Sequence, residues 1–177
     1  MRLIEEMPHH VSGIKHVIDE AFGGGAESTL ISNLRDDGDL ALSLLAEADD
    51  GSVIGHIALS RLISPDGALA LAPLSVIPSS QRRGIGAALV REALRLARLR
   101  NDRVVFVFGD AAYYERFGFS RDLAAHYPCR YGGEHFLALS LVDHPPPAAD
   151  VIYPPAFDLL GLLIRPGCEF RCCGTSF

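Results

Sequence analysis

The stretch that decides the fold reads Val76-Ile77-Pro78-Ser79-Ser80-Gln81-Arg82-Arg83-Gly84-Ile85-Gly86-Ala87-Ala88-Leu89. Its apolar start is typical of the end of a strand, a short polar turn follows, and the glycines open a helical pattern. At such a junction backbone N–H groups converge, the helix dipole adds partial positive charge, and glycine lets a ligand approach the main chain closely. The stretch therefore predicts a cradle for an anionic, phosphate-bearing ligand, and its two arginines strengthen that prediction.

Charge is distributed unevenly along this chain, whose net charge is −6. Residues 1–66 carry twelve Asp and Glu against four Lys and Arg, whereas residues 82–103 carry seven Arg against two acids. The acidic total argues against nucleic acid as a partner. The basic segment suits an anion, and the acidic N-terminal third is compatible with a cation.

The composition indicates a globular chain, with 49% hydrophobic residues. No apolar run approaches the ~18 residues of a membrane span, and residues 1–6 lack the apolar core of a signal peptide. We therefore expect a cytoplasmic protein that does not bind membranes. Because Cys129, Cys168, Cys172 and Cys173 lack the paired spacing of a zinc site, we expect no metal.

Hydrophobic periodicity predicts an alternation of strands and helices. The predicted order is strand 2–6, helix 11–22, a glycine link at 23–25, helix 27–35, strands 40–48, 52–63 and 68–76, helix 84–99, strand 103–109, short helix 111–117 and strand 134–142. Turn sequences at 49–51 and 64–67 make the middle three strands an antiparallel meander. The strand, helix and strand over 68–109 imply a right-handed crossover and hence a parallel pair.

Two motifs resemble those of the GCN5-related N-acetyltransferase (GNAT) family. Gln81-Arg82-Arg83-Gly84-Ile85-Gly86 looks like the family's Gln/Arg-x-x-Gly-x-Gly/Ala loop, and Tyr114-Glu115-Arg116-Phe117-Gly118-Phe119 matches its Tyr-x-x-x-Gly-Phe segment. The order of elements over 1–142 agrees as well. Within the family, Gly109-Asp110 and the late Tyr153-Pro154-Pro155-Ala156-Phe157 are similar to the YhbS-like group of predicted acetyltransferases.

The resemblance implies an α/β (α+β) domain over residues 1–142 with the GNAT fold. That fold is a mixed, mostly antiparallel sheet of about six to seven strands, with a splayed parallel pair at the acyl-CoA site and about four flanking helices. Residues 143–177 are then a C-terminal extension, extended in part and disordered in part.

The resemblance also implies acetyl-CoA as cosubstrate, with its pyrophosphate at the helix start and its pantetheine arm beside the preceding strand. The implied cofactor-binding residues are Leu74, Ser75, Val76, Gln81, Arg82, Arg83, Gly84, Ile85, Gly86, Ala87, Gly109 and Tyr114. A backbone N–H of the strand would stabilise the oxyanion formed when an amine attacks the thioester. Pro73, which has no N–H to donate, fits either a strand interrupted near a site or a simple bulge.

Tyr114 lies four residues before Gly118, where the family places its general acid. Thiols and phenols have pKa values within about two units of each other (~8.5 and ~10), so a phenol is a reasonable proton donor to the leaving thiolate. Tyr113 is the competing residue, rotated about 100° from Tyr114 around a helix.

The general base is harder to assign, because residues 70–75 lack the carboxylate that many family members carry on this strand. His56, on the middle strand of the meander, has a suitable intrinsic pKa. Glu20 and Glu27 flank the triple glycine, and either acid could hold an ammonium group or relay its proton through water. His56 and Glu27 therefore join Tyr114 as candidate catalytic residues.

These features predict an acyl-CoA-dependent N-acyltransferase that moves an acetyl group from acetyl-CoA to the primary amine of a small molecule or peptide. The amine would attack the thioester directly in a ternary complex. The alternative is a non-catalytic module that binds acyl-CoA as a sensor or scaffold. The chain after Pro155 is apolar and could cover either a partner, as in a homodimer, or the protein's own sheet.

Overall fold

A six-stranded mixed sheet runs through residues 1–158, the part of the 177-residue chain that this computed structural model describes. The strands are β1 (Arg2–Glu5), β2 (Leu40–Glu47), β3 (Val53–Arg61), β4 (Ala68–Val76), β5 (Val104–Phe108) and β6 (Phe136–Ser140). Their order in space is their order in the chain. Every neighbouring pair is antiparallel except β4 and β5, which are parallel. The predicted sheet and its parallel pair are therefore confirmed.

Five α-helices lie among the described residues, one more than the sequence predicted. They are α1 (Val11–Phe22), α2 (Ala26–Asp36), α3 (Ile85–Leu99), α4 (Ala111–Tyr114) and α5 (Arg121–Ala124). The additional helix is α5, a single turn too short to show a hydrophobic period. It is capped by Ser120, whose Oγ accepts a hydrogen bond from the Leu123 N–H at 3.2 Å.

The predicted helix over 111–117 changes type near its end. It is α-helical only through Tyr114, and Glu115–Phe117 form a tighter 3₁₀ turn. Gly118 then ends the segment in the left-handed region with φ +94°, where glycine carries no steric penalty. The helix begins at Ala111, as predicted. Its N-cap is Asp110, whose Oδ1 accepts a hydrogen bond from the Ala112 N–H at 3.0 Å.

The sheet separates two hydrophobic cores. The core on one face packs against α3 and includes Ile57, Leu71 and Leu89. The core on the other face packs against α1 and α2 and includes Ala58 and Ala70. Because side chains alternate along a strand, each residue of β3 and β4 can be assigned to the α3 face or to the face covered by α1 and α2.

Part of the segment after residue 142 packs into the domain. Val151, Ala156 and Phe157 are buried in the core under α1 and α2. The Val151 N–H donates to the Pro128 carbonyl at 2.7 Å, and the Ile152 N–H donates to the Ser64 carbonyl at 3.0 Å. The predicted boundary at residue 142 stays a prediction. The predicted disorder of the end and three of the cysteines, Cys168, Cys172 and Cys173, lie outside the described residues.

Candidate active site

Strand β4 parts from its parallel neighbour halfway along its length. Pairing with β5 runs from Ala68 opposite Val104 to Leu71 opposite Val107 and goes no further. On its other edge β4 stays paired with β3 through Val76. The predicted splay is confirmed, and it leaves the backbone edge of residues 72–76 open on the side that faces away from β3.

A bulge marks the point where the strands part. Ile57 pairs with Leu74 and Leu59 pairs with Leu71, so Ala72 and Pro73 together oppose Ala58. Proline at this position costs no ladder hydrogen bond, because the bulge has already removed it. Both readings of Pro73 therefore hold, since the bulge and the interruption of the strand coincide.

The loop after β4 leads into a helix start whose N–H groups are open. The Gln81 Nε2 donates to the Val76 carbonyl at 3.1 Å, which ties the loop to the strand end. The first hydrogen bond of α3 runs from the Ala88 N–H to the Gly84 carbonyl at 3.0 Å. The N–H groups before it have no acceptor within the helix. No side chain caps α3, and its first turn contains no acidic residue.

Two residues of this loop have left-handed backbone conformations. Gly84 has φ +79°, and Arg82 has φ +59°, which is uncommon for a residue with a side chain. Arg82 and Arg83 are exposed, and neither forms an ion pair within residues 1–158. An anion at this helix start would therefore meet open N–H groups and two available guanidinium groups.

The tyrosines of α4 lie beside this helix start. A Cβ added at Gly86 would stand 2.8 Å from the Tyr113 hydroxyl, so glycine is required for this approach. Tyr114 is 1% exposed, and its ring packs edge-on against Tyr113 and Phe119. It belongs to the same core as Leu74 and Val76. The structure thus brings the predicted general acid to the core face of the splayed strand.

Gly109 lies at the end of β5, where its N–H donates to the His135 carbonyl at 2.8 Å. This N–H therefore belongs to the sheet, and a ligand contact at Gly109 would have to use another atom. The prediction that Gly109 binds the cofactor stays a prediction.

A chain of polar side chains lies on the opposite face, under α1 and α2. The Arg35 guanidinium donates to both carboxylate oxygens of Glu6, at 2.8 and 3.0 Å. The Ser43 hydroxyl donates to the same carboxylate. Ser43 Oγ is also 2.9 Å from the His56 Nε2. The chain therefore extends from an arginine at the edge of α2 to a histidine in the middle of the sheet.

Burial controls the protonation of this chain. His56 is fully buried, and burial lowers its pKa to about 4, although the Glu6 carboxylate opposes that shift. Burial by itself raises the pKa of Glu6, but the hydrogen bonds from Arg35 and Ser43 outweigh it and leave the pKa below its ordinary value. At neutral pH the histidine is therefore neutral and the carboxylate is ionised.

Glu27 stands in the first turn of α2, directly after the glycine link. Burial raises its pKa, and the nearby Asp19 carboxylate raises it further. Burial by itself raises the pKa of Asp19, but the hydrogen bond from the Lys15 ammonium outweighs it and leaves the pKa below its ordinary value. Glu20 is exposed. The structure therefore groups Glu27 with Asp19, a residue that the sequence did not single out.

Comparison with known sequences decides the family. The sequence model of the Acetyltransferase (GNAT) family matches residues 14–119, which is more than half of the chain. The chain belongs to the GNAT acetyltransferase family. An uncharacterised N-acetyltransferase of Escherichia coli K12, YhbS, is 37% identical over 133 residues, which cover 72% of this chain and 78% of that protein. The resemblance inferred from the two motifs is therefore confirmed.

Solved structures of GNAT proteins agree with this membership. The crystal structure of E. coli YhbS in complex with CoA is 29% identical, superposes with a TM-score of 0.83, and covers 98% of this chain and 94% of that one. A GNAT acetyltransferase from Brucella melitensis in complex with acetyl-CoA is 34% identical with a TM-score of 0.76, covering 89% of this chain and 97% of that one. Both neighbours hold a CoA species.

No helix among residues 1–158 is long and apolar enough to cross a membrane. Nor do three or more His, Cys, Asp or Glu side chains gather there in a way that could hold a metal ion.

Most residues of this polar chain are not predicted as site residues from the sequence. Glu6 follows β1, Arg35 is on α2 and Ser43 is on β2, so nothing in their spacing links them to His56. The one available signal is Ser43, which interrupts the apolar run of β2.

Proposed function

We propose that this protein is an acetyl-CoA-dependent N-acetyltransferase that acts on a primary amine by direct attack in a ternary complex. One observation carries the proposal: β4 leaves β5 after Leu71 and leads, through the connection 77–84, to the uncapped start of α3. An extended ligand arm can lie against the freed strand edge while its phosphates meet the helix N–H groups. Family membership and the CoA species held by the two structural neighbours support it.

The donor would bind through the backbone more than through side chains. The amides of residues 74–76 would pair with the pantetheine arm as a neighbouring strand does. The N–H groups of residues 84–87 would hold the pyrophosphate, helped by Arg82 and Arg83. Gln81, bonded to the Val76 carbonyl, would keep the strand end and the loop in a fixed relation. This division explains why the glycines matter, since a side chain at Gly86 would meet Tyr113.

The reaction would use groups on both faces of β4. The amine nitrogen forms a bond to the thioester carbon, and a backbone N–H of residues 74–76 stabilises the oxyanion. As the tetrahedral adduct collapses, the carbon–sulfur bond breaks and Tyr114 donates its proton to the sulfur. The amine must lose its ammonium proton to water before it attacks, and the nitrogen gives up one further proton as the amide forms. That further proton passes to solvent and balances the proton by which Tyr114 is restored, so the products are the amide and free CoA.

The acceptor is proposed to be a cationic amine that enters at the glycine link between α1 and α2. Glu27 and Asp19 provide two carboxylates there; burial raises the pKa of Glu27, and repulsion from Asp19 adds to that rise. An approaching ammonium group relieves that repulsion, which gives a physical reason for the pair. We therefore propose that Glu27 holds the incoming amine and that a neutral amine binds less well.

The test begins with titration calorimetry of CoA and acetyl-CoA. Release of free thiol from acetyl-CoA is then followed with putrescine, kanamycin and a short peptide that has free α- and ε-amines. Release above the hydrolysis rate with at least one amine supports the proposal. Tight CoA binding without turnover on any amine, and without any effect of Tyr114→Phe, would favour the sensor or scaffold alternative. Failure to bind CoA would sink both.

A further inference from the structure

Two arginines from different elements lie over the same aromatic rings. The guanidinium carbon of Arg116, just after α4, is 4.0 Å from the centroid of the Tyr113 ring and 5.0 Å from that of Phe117. The guanidinium carbon of Arg91, on α3, is 5.5 Å from the Phe117 centroid. Because the face of an aromatic ring is negative, it holds a cation in place without supplying a hydrogen-bond acceptor.

No carboxylate neutralises these two guanidinium groups. Both are exposed, and neither forms an ion pair within residues 1–158. The acids next to them in the chain pair with other arginines, since Glu92 is 2.7 Å from Arg95 and Glu115 is 3.6 Å from Arg121. The two groups therefore form a positive patch whose N–H donors can meet an anion.

Tyr113 connects this patch to the start of α3. Arg116 lies over its ring, and its hydroxyl would stand 2.8 Å from a Cβ at Gly86, in the first turn of the helix. Tyr113 is 8% exposed, so packing fixes the ring between the two. Arg91 follows Ala87 by four residues and shares its helix face. The patch thus begins within the length of one side chain from the N–H groups proposed to hold the pyrophosphate.

Coenzyme A carries its negative charge in two places. Its pyrophosphate is attached to the 5′ carbon of the ribose, and a separate phosphate monoester is attached to the 3′ oxygen of the same sugar. The helix N–H groups, with Arg82 and Arg83, account for the pyrophosphate and leave the monoester without a partner. A phosphate monoester carries about −1.5 to −2 charges at neutral pH, and its oxygens suit the fork of a guanidinium group.

We propose that Arg116, assisted by Arg91, binds the 3′-phosphate of coenzyme A and makes this protein select CoA and its thioesters over their dephospho forms. This inference rests on the CoA binding of the proposed function. Tyr113 and Phe117 hold the guanidinium groups near their bound positions, so less side-chain freedom is lost when the phosphate arrives. The 3′-phosphate then extends the anion site from the backbone of α3 to side chains of two elements.

Titration calorimetry with CoA and dephospho-CoA tests the proposal. We expect the wild type to bind CoA about tenfold more tightly or better, because hydrogen bonds between charged groups are worth at least that factor. Arg116→Gln should lower the affinity for CoA by about tenfold and leave the affinity for dephospho-CoA nearly unchanged. Arg116→Lys, which keeps the charge without the fork, should restore part of the preference.

Arg98→Gln is the matched control. Arg98 is exposed in the last turn of α3, about two turns beyond Arg91, and its substitution removes the same charge as Arg116→Gln. The two variants therefore have equal net charge, and any effect of overall charge on CoA binding is the same in both. We expect Arg98→Gln to keep the wild-type preference for CoA. Equal losses of preference in the two variants would overturn the proposal.

The two ligands also separate this proposal from the function on which it rests. Equal affinities of the wild type for CoA and dephospho-CoA would reject the 3′-phosphate site and leave the proposed acetyltransferase standing. An equal fall for both ligands in Arg116→Gln would place Arg116 on a part of CoA that they share, and would also reject the site. A wild type that binds neither ligand would reject the proposed function together with this inference.

Discussion

The two faces of β4 differ in how the chain builds them. On the donor face, the loop and helix start that would hold acetyl-CoA come from one continuous stretch, residues 74–88, with Tyr114 added from α4. On the face under α1 and α2, which is proposed for the acceptor, Glu6, Arg35, Ser43 and His56 come from four separate parts of the fold. The proposed donor face presents backbone N–H groups, whereas the proposed acceptor face presents side chains. Substitutions should therefore separate donor binding from amine chemistry.

Tyr114→Phe should have the largest effect. The substitution conserves the ring packing against Tyr113 and Phe119 and removes the proposed proton donor to sulfur. We expect kcat to fall on the order of 1,000-fold while CoA affinity is retained, within the range of general acid catalysis. Steady-state thiol release and calorimetry measure the two quantities, and Tyr113→Phe is the control. A larger loss in Tyr113→Phe would transfer the acid role to that residue.

The buried histidine should make stability depend on pH. Its folded pKa of about 4 lies below the ordinary value of 6.5, so the unfolded chain binds more protons between these values. The free energy of unfolding should therefore fall, by on the order of 3 kcal/mol, as the pH drops from 7 to 4. Denaturant titrations of the wild type and His56→Gln across this range isolate the contribution. Parallel curves for the two proteins would mean that His56 does not titrate this way.

Gly86→Val should weaken donor binding without altering the acceptor face. A Cβ at this position would meet the Tyr113 hydroxyl at 2.8 Å, and the added methyl groups would cover the helix start. Loss of charge-assisted hydrogen bonds to the phosphates should lower CoA affinity by about 100-fold. Gly24→Ala is the matched control, since a Cβ there has nothing within 4 Å. Unchanged CoA affinity in Gly86→Val would break the assignment of the pyrophosphate to this helix start.

Glu27→Gln should have the smallest effect, and it tests whether Glu27 binds the cationic amine. Removing one carboxylate of the pair with Asp19 should raise KM for a cationic amine by about tenfold and leave the KM for acetyl-CoA unchanged. The effect should shrink at high salt, because charge attraction at a half-buried site is partly screened. Glu20→Gln, which changes the exposed acid directly after Asp19 on α1, is the control. Equal KM values in the two variants would remove Glu27 from amine binding.

Most of the fold could be predicted from the sequence because most helices and strands have a hydrophobic pattern or a turn sequence within their own residues. The apolar period of α1 and of α3, the turns at 49–51 and 64–67, and the continuous run of β5 all appear where they were expected. The misses are local too: α5 is one turn long, and α4 tightens to a 3₁₀ turn before Gly118. Short helices contain too few residues to show a hydrophobic period. Whether their last turn is α-helical or 3₁₀ depends on how the helix ends.

What the amino-acid sequence determined about this protein is its family and the segment that is proposed to hold the donor. Both depend on residues that are close in the chain. The spacing alone identifies the motif with glycines at 84 and 86 and the motif with Tyr114 before Gly118. Only the tertiary structure shows which side chains meet on the opposite face, under α1 and α2. The neutrality of His56, its hydrogen bond to Ser43 and the pairing of Glu27 with Asp19 arise from burial and from contacts between distant elements. Dielectric environment and contact are properties of packing, which no local pattern in the sequence encodes.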